Sequence, residues 1–467
     1  MNEPILKRDE SLDALRGFAI LAMVLSSSIA FGGVLPAWMY HAQVPPPKHE
    51  FIPSLPGITW VDLVFPFFLF SMGAAIPLSL SKMEREGARF IHVLWIAARR
   101  FLLLTFFAFF TVHMRAGVIS SAPETTHYLL SILGFLLLCF MFYDPKEGKY
   151  KTLFLILKGL AFATACFLLY YLPFSQGKGF SLNRVDIIIL VLGNMAFFGS
   201  LIWWFTRNNI WIRVAILPFV MAVLLGAKEK GSWNETLFHF SPVAWMYKFY
   251  YLKYLFIIIP GTIAGDWLLQ SMKAGKVELG KGFSGFIAAL SFALIFINVW
   301  FLFERMLLLN LFVSIILCIF IWLVLKRING DNSFLKRLFL AGTYLLFLGL
   351  FFEAFEGGIK KDVSTYSYYF VTSGLAFFML IGLHGIQQFK GVASVTGYLS
   401  SNGRNPMVAY VAGNLLLLPL LHLTGGISVL NSMNGNATMG LMRGIIFTGI
   451  VSLITLFFVK RKWYWKT

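Results

Sequence analysis

Charge is scarce in this chain of 467 residues, and acid is scarcer than base: Asp, Glu, Lys and Arg make up only 13%, with 21 acids against 39 lysines and arginines. So low a charged fraction, beside 58% hydrophobic residues, 17% aromatics and 50 phenylalanines, excludes a water-soluble globule of ordinary composition. Cysteine is nearly missing as well. Cys139, Cys166 and Cys318 each fall inside an apolar stretch, so they read as small hydrophobes and give neither a disulfide framework nor a metal site. Absent too are the short patterns of several chemistries. The chain has no Gly-x-Ser-x-Gly elbow, no Walker loop, no dinucleotide glycine pattern and no His-Glu-x-x-His. Covalent serine catalysis, ATP hydrolysis and zinc hydrolysis therefore lack support, and no metal is expected.

What the chain does have is long apolar runs. A span needs about 20 predominantly apolar residues, and candidates lie near 14–34, 59–81, 92–112, 127–143, 152–173, 186–206, 210–227, 251–271, 283–303, 307–325, 338–354, 369–388, 405–424 and 438–459. Several are short or closely joined. The expected fold is all-α, a polytopic membrane helical bundle of about 11–14 transmembrane helices forming one domain over residues 1–467. No soluble domain, low-complexity tract or fixed-period repeat interrupts it.

A formal net charge of +18 would suit nucleic acid, but the cations sit in short clusters between apolar spans, which is how topology signals are arranged. No nucleic-acid partner is expected. With the N-terminus placed in the cytoplasm, the inner loops collect Lys7 and Arg8; Lys82, Arg85 and Arg89; Lys146, Lys149 and Lys151; Arg207; Lys273, Lys276 and Lys281; Lys326, Arg327, Lys336 and Arg337; Lys390 and Arg404; and Lys460, Arg461 and Lys462. The outer loops carry fewer cations, Lys228, Lys230, Lys360 and Lys361 among them. Both termini are thus expected in the cytoplasm. The first span follows Arg16 with no small-residue cleavage site after it, so it is expected to stay in the mature protein. The outer segments from Pro36 to His41 and from Trp233 to Tyr251 are rich in aromatics, either an interfacial belt or a platform for stacking a sugar, with Trp38 the candidate in the first.

Titratable residues at the membrane edge are costly, so they are functional suspects. Asp13 and Arg16 are three residues apart at the start of the first helix, close enough on one face to pair. Asp62 lies just inside the second span, four residues before Pro66, and must point inward to a cation or to an imidazole of the preceding loop, which holds His41 and His49. His113 with Arg115, and Glu353 with Glu356, suit ion pairs between helices. His384 and His422 are lone imidazoles on apolar helices, as packing residues usually are. In Ser400-Ser-Asn-Gly-Arg-Asn-Pro-Met407, a helix opens with proline in its first turn, so its free N–H groups at Asn405, together with Arg404, suit an anion such as a phosphate. An imidazole beside a carboxylate is the minimum apparatus for deprotonating a hydroxyl or amine, and either His41 or His49 fits that role.

Three stretches resemble a known family: Asp13-Ala-Leu-Arg-Gly-Phe18, His41-Ala42 after the aromatic loop, and Asp62-Leu-Val-Phe-Pro-Phe-Phe-Leu-Phe-Ser-Met-Gly73. They look like the heparan-alpha-glucosaminide N-acetyltransferase family and its bacterial relatives, within the wider transmembrane acyltransferases. The likeness is specific over residues 11–80 and loose beyond, where Asn402 to Asn414 resembles the polar start of a late helix. It implies passage of an acetyl group from cytoplasmic acetyl-CoA through the bundle to a sugar amine or hydroxyl on the other side. It implies His41 as base. From the residues themselves, Asp62 is expected as its partner, Arg404, Asn405 and Arg16 are expected to hold acetyl-CoA, and Ser27, His49 and Trp38 to lie near the acceptor. Two departures stand out. By counting from Arg16, Ser27 stands where the family has an asparagine, and Val44 to Pro56 adds prolines and the second histidine. The family's large luminal N-terminal domain is expected to be missing, as would suit a bacterial inner-membrane protein. A transporter for a sugar or amphiphile is the alternative; broken helices, as around Pro260-Gly261, would favour it. Membrane lipids surround either protein, and a homodimer is compatible with both.

Overall fold

The computed structural model describes residues 9–144, 151–174, 177, 179–274, 281–327 and 333–467. Among the cations used above for orientation, Lys7, Arg8, Lys146, Lys149 and Lys276, with the side chains of Lys281 and Lys390, lie outside the described residues. The described residues are mostly helical, and thirteen helices among them are long and apolar enough to cross a membrane. The longer helices run as α1 Glu10–Ser28, α2 Trp60–Arg85, α3 Phe90–His113, α4 Thr125–Phe142, α5 Lys151–Tyr171, α6 Ile187–Thr206, α7 Ile210–Gly226 and α8 Leu255–Ala274. They continue as α9 Lys281–Phe303, α10 Leu307–Arg327, α11 Ser333–Phe351, α12 Tyr366–Ile386, α13 Lys390–Gly403, α14 Pro406–Leu423 and α15 Ala437–Lys460. Helix α7 is apolar but, at 17 residues, shorter than the spans. The protein is a polytopic membrane helical bundle.

Helices α1, α2, α8 and α12 form its centre, and α12 is buried along nearly its whole length. Small residues let their backbones meet. A Cβ at Gly17 would collide with the Leu399 carbonyl, and one at Gly403 with the Asp13 carbonyl, so α1 and α13 touch backbone to backbone through a reciprocal glycine pair. That contact gives the glycine of Asp13-Ala-Leu-Arg-Gly17 a structural reason. Gly73 and Gly261 do the same for α2 and α8, and Pro260-Gly261 lies inside the continuous α8. The broken helix is instead α14, where residues Gly413–Leu417 form a π-helical turn.

The first helix ends earlier than its apolar run. Ser26, Ser27 and Ser28 bend their hydroxyls back to carbonyls of Met23 and Val24, and the chain leaves the helix extended at Ile29. Several charges inside the bundle are paired, as an apolar solvent favours. Fully buried Arg213 of α7 donates to Asp266 of α8 at 2.6 Å, and Trp203 donates to the same carboxylate at 3.0 Å. Arg115 meets Asp186 at 3.4 Å, and Arg305 pairs with Glu353.

Candidate active site

The loop after α1 is tied down on both sides of His41. Buried Tyr40 donates its hydroxyl to the Ala30 carbonyl at 2.6 Å, and burial raises its pKa, so it stays a donor. Thr59 donates to the Tyr40 carbonyl at 2.6 Å, and Gln43 reaches the carbonyls of Leu55 and Gly57 at 3.0 and 3.1 Å. The backbone carrying His41 is therefore held against the start of α2.

Asp62 is the third residue of α2, where a carboxylate can reach back to the N-cap and meet the positive end of the helix dipole. Its Oδ2 accepts from the Thr59 N–H at 2.9 Å and from the Ala42 N–H at 3.3 Å. Its Oδ1 lies 2.6 Å from His41 Nδ1. Asp62 is fully buried, whereas the His41 side chain is 36% exposed. Tyr368 of α12 donates to the Asp62 carbonyl at 2.8 Å. A buried carboxylate holding several donors is an acceptor, so a neutral His41 ring carries its proton on Nδ1 facing Asp62 and its lone pair on Nε2. This is the orientation a general base needs.

A further residue enters from 320 positions away along the chain: Lys361 Nζ stands 3.2 Å from both ring nitrogens of His41. Its loop is docked on the loop before α2, since Gly57 donates to the Ile359 carbonyl at 2.7 Å and Glu353, paired with Arg305, accepts from the Ile359 N–H at 3.2 Å. Lys253 anchors the same loop by donating to the Ser364 carbonyl at 2.7 Å. The sequence marks Lys361 only as an outer-loop cation; nothing local to it points at His41.

The other residues expected at this end are placed apart from the pair. His49 Nε2 accepts from the Gly32 N–H at 3.1 Å, and its ring packs on Phe31 and Tyr40 at 5.1 and 4.5 Å. Its one lone-pair nitrogen is thus spent on holding the loop. Ser27 is exposed, its hydroxyl returned to Val24 at 2.9 Å. Trp38 is exposed on a single 3-10 turn, Ala37–Met39.

At the other end of the bundle, a cavity of about 360 Å³ is lined by Arg16, Arg100, Arg404 and Lys466 and also by Met23, Phe68 and Met72. Arg16 holds Asp13 at 3.5 Å, and Arg404 Nε lies 3.9 Å from the same carboxylate. Arg16 also lines a neighbouring cavity of about 400 Å³ beside Asp9, Asp13 and Arg85. Of its lining residues on α2, Phe68 is the nearest in sequence to Asp62, about six residues or roughly 9 Å along the helix. Arg100 and Lys466 had not been singled out from the sequence, although an arginine inside an apolar span is itself a signal. Asn405 plays a different part: its side chain donates to the Trp463 carbonyl at 2.9 Å and accepts from the Trp465 N–H at 3.2 Å. It pins the segment that brings Lys466 to the cavity wall. His384 and His422 stay away from both sites, the first 3.4 Å from Asp9 and the second stacked on Tyr128.

Comparison with known proteins gives two findings. A family described as Domain of unknown function (DUF5009) matches over residues 8–268. The human protein heparan-alpha-glucosaminide N-acetyltransferase is 36% identical over 98 residues, which is 21% of this chain and 13% of the human protein. The stretch that matches therefore spans a small part of that relative.

Proposed function

Given that the chain belongs to the DUF5009 family, whose description names no activity, we propose that it is an integral-membrane acyltransferase. In this reading it moves an acetyl group from acetyl-CoA to an amine or hydroxyl of a sugar. The observation that carries it is the His41–Asp62 pair at 2.6 Å, buried on the carboxylate side and open on the imidazole side. The partial likeness to the human N-acetyltransferase supports the same reaction class.

The chemistry needs only these groups. His41 Nε2 takes the proton of the acceptor as its nitrogen or oxygen attacks the thioester carbonyl. The tetrahedral adduct collapses with loss of the coenzyme A sulfur, and the imidazolium returns the proton to that sulfur. Asp62 stabilises the imidazolium through the charge-assisted bond at Nδ1. The cluster of Arg16, Arg100, Arg404 and Lys466 supplies guanidinium and ammonium groups suited to the phosphates of acetyl-CoA, and the apolar side chains of Met23, Phe68 and Met72 in the same lining suit its pantetheine arm. Donor and acceptor then approach from opposite ends, with acetyl-CoA from the cytoplasm and the acceptor from the periplasm in a bacterial inner membrane.

The test is direct. Purified protein is incubated with acetyl-CoA and a panel of amino sugars, glucosamine included, and products are read by mass. Acetylated sugar formed by the wild type and lost in His41→Ala is expected; coenzyme A release that is unchanged in His41→Ala would remove the imidazole from the reaction.

A further inference from the structure

We infer that the cavity beside Asp9, Asp13 and Arg85 is a purine subsite, which takes the adenine end of coenzyme A while the neighbouring cavity takes the pantetheine end. The inference deepens the acyltransferase reading and rests on it for the identity of the ligand. The chemistry of the cavity wall stands independently.

The two cavities follow one another along α1. The one of about 400 Å³ takes Asp9, Leu12, Asp13 and Arg16 from the start of that helix, and the one of about 360 Å³ takes Arg16, Ile20 and Met23. These positions recur every three or four residues, the spacing of one helix face. Arg16 is common to both walls, and so is Ala75 of α2. The Arg16 guanidinium is held at this junction by the Gly403 carbonyl at 3.5 Å, the Ser71 carbonyl at 3.4 Å and Asp13 at 3.5 Å. A ligand that occupies both cavities must pass it, and a diphosphate is the group that a fixed guanidinium suits.

What the first cavity accepts follows from what its wall excludes. Asp9 and Asp13 oppose a bare phosphate, and Arg16 and Arg85 oppose a metal cation. A wholly apolar ligand would shut in the hydroxyl of Ser81, a lining residue only 5% exposed whose Oγ has no hydrogen-bond partner, and an unsatisfied buried hydroxyl is costly. The wall therefore suits a flat body with donors and acceptors on its edge and an anionic tail. Adenine has an amino group to donate to a carboxylate and ring nitrogens to accept from a hydroxyl. Asp9 accepts from the Ser11 N–H at 2.8 Å, and a carboxylate has lone pairs for further donors. Leu12, Leu78, Leu269 and Met272 offer apolar contact for the ring faces, and the phosphates of the same nucleotide meet Arg85 and Arg16. Exposed Ser79 and Arg85 on the wall give the cavity a way to solvent.

The test uses purified wild-type protein in detergent. 2-Azidoadenosine 3′,5′-bisphosphate, a photoreactive adenine nucleotide without the pantetheine arm, is bound and irradiated, and its attachment is mapped by peptide mass. Label within residues 9–16, 75–85 or 269–272, prevented by excess coenzyme A, is expected. Label confined to residues 100–107 or 404–410 of the other wall, or no binding by the wild type, would overturn the subsite. Calorimetry on two variants gives a second reading. Ser81→Ala should weaken adenosine 3′,5′-bisphosphate about fivefold, the worth of one hydrogen bond, and Met272→Trp, which sets an indole in the cavity, by about tenfold or more. Both should bind 4′-phosphopantetheine as the wild type does. Wild-type affinity for the bisphosphate in both variants would overturn the subsite too. Adenine nucleotide held at these residues by a protein that transfers no acetyl group would count against the acyltransferase reading alone. Acetyl transfer from acetyl-CoA by an enzyme labelled elsewhere would count against the subsite alone.

Discussion

Replacing Asp62 by Asn changes one atom of a buried side chain, and its consequence can be followed bond by bond. Asp62 Oδ2 accepts from Thr59 and Ala42 backbone N–H groups, and Oδ1 faces His41. An asparagine has a single side-chain acceptor. If its oxygen keeps the two N–H groups, as the capping geometry of α2 demands, its NH₂ is turned toward His41 Nδ1. That nitrogen must then accept, the ring proton moves to Nε2, and the nitrogen facing the acceptor is no longer a base. The charge-assisted bond that steadies the imidazolium is lost as well, about 2–3 kcal/mol, or roughly 30- to 150-fold in rate on its own. Together with the wrong tautomer the fall should lie within the 10²–10⁴-fold range typical of losing a general base, on the order of a thousandfold. Folding should change little, because the capping bonds survive. The assay is kcat for acetyl transfer to an amino sugar, normalised to folded protein by thermal melting in detergent. An Asp62→Asn enzyme within about threefold of wild type, with the same melting temperature, would refute the reasoning and make Asp62 a capping residue only.

Three further outcomes separate roles within the fold. His41→Ala should abolish transfer at unchanged thermal stability, whereas His49→Ala should keep the chemistry and lose about 1 kcal/mol of stability with its bond to Gly32, read in paired melts and rate assays. Arg404→Ala should weaken acetyl-CoA binding by about tenfold, the worth of one charge-assisted contact, and spare the acceptor KM; titration calorimetry with coenzyme A checks the first half. Gly17→Ala should prevent accumulation of folded protein, because its Cβ has no space against the Leu399 carbonyl, and size-exclusion profiles of the detergent-extracted protein report it.

The membrane spans were legible because each depends only on its own window of apolar residues. Their ends were less so: the run to residue 34 hides the helix end at Ser28, where three serine hydroxyls turn back on the backbone. The His41–Asp62 pair was legible because both members lie within one loop and one helix start, where Thr59 and Asp62 have the spacing of a capping box. Lys361 was not, since its loop is brought there by contacts with Gly57 and Lys253 that no local pattern announces. The same reason separates Asn405 from the role its position suggested. At a helix start beside an arginine it looks like an anion site, but the residues that satisfy its amide, Trp463 and Trp465, lie far away in sequence. Arg213 and Asp266 pair across two helices and were invisible for want of any spacing between them that means contact. Arg100, by contrast, stood in plain view inside an apolar span.

The central claim is that the acyl group enters at the Arg404 end of the bundle and leaves at the His41 end. It is tested most directly with protein reconstituted in sealed vesicles, glucosamine enclosed and acetyl-CoA added outside, since neither compound crosses lipid unaided. N-Acetylglucosamine accumulating inside the vesicles, and absent with His41→Ala, is the expected result. Product formed only when donor and acceptor are on the same side of the membrane would contradict it.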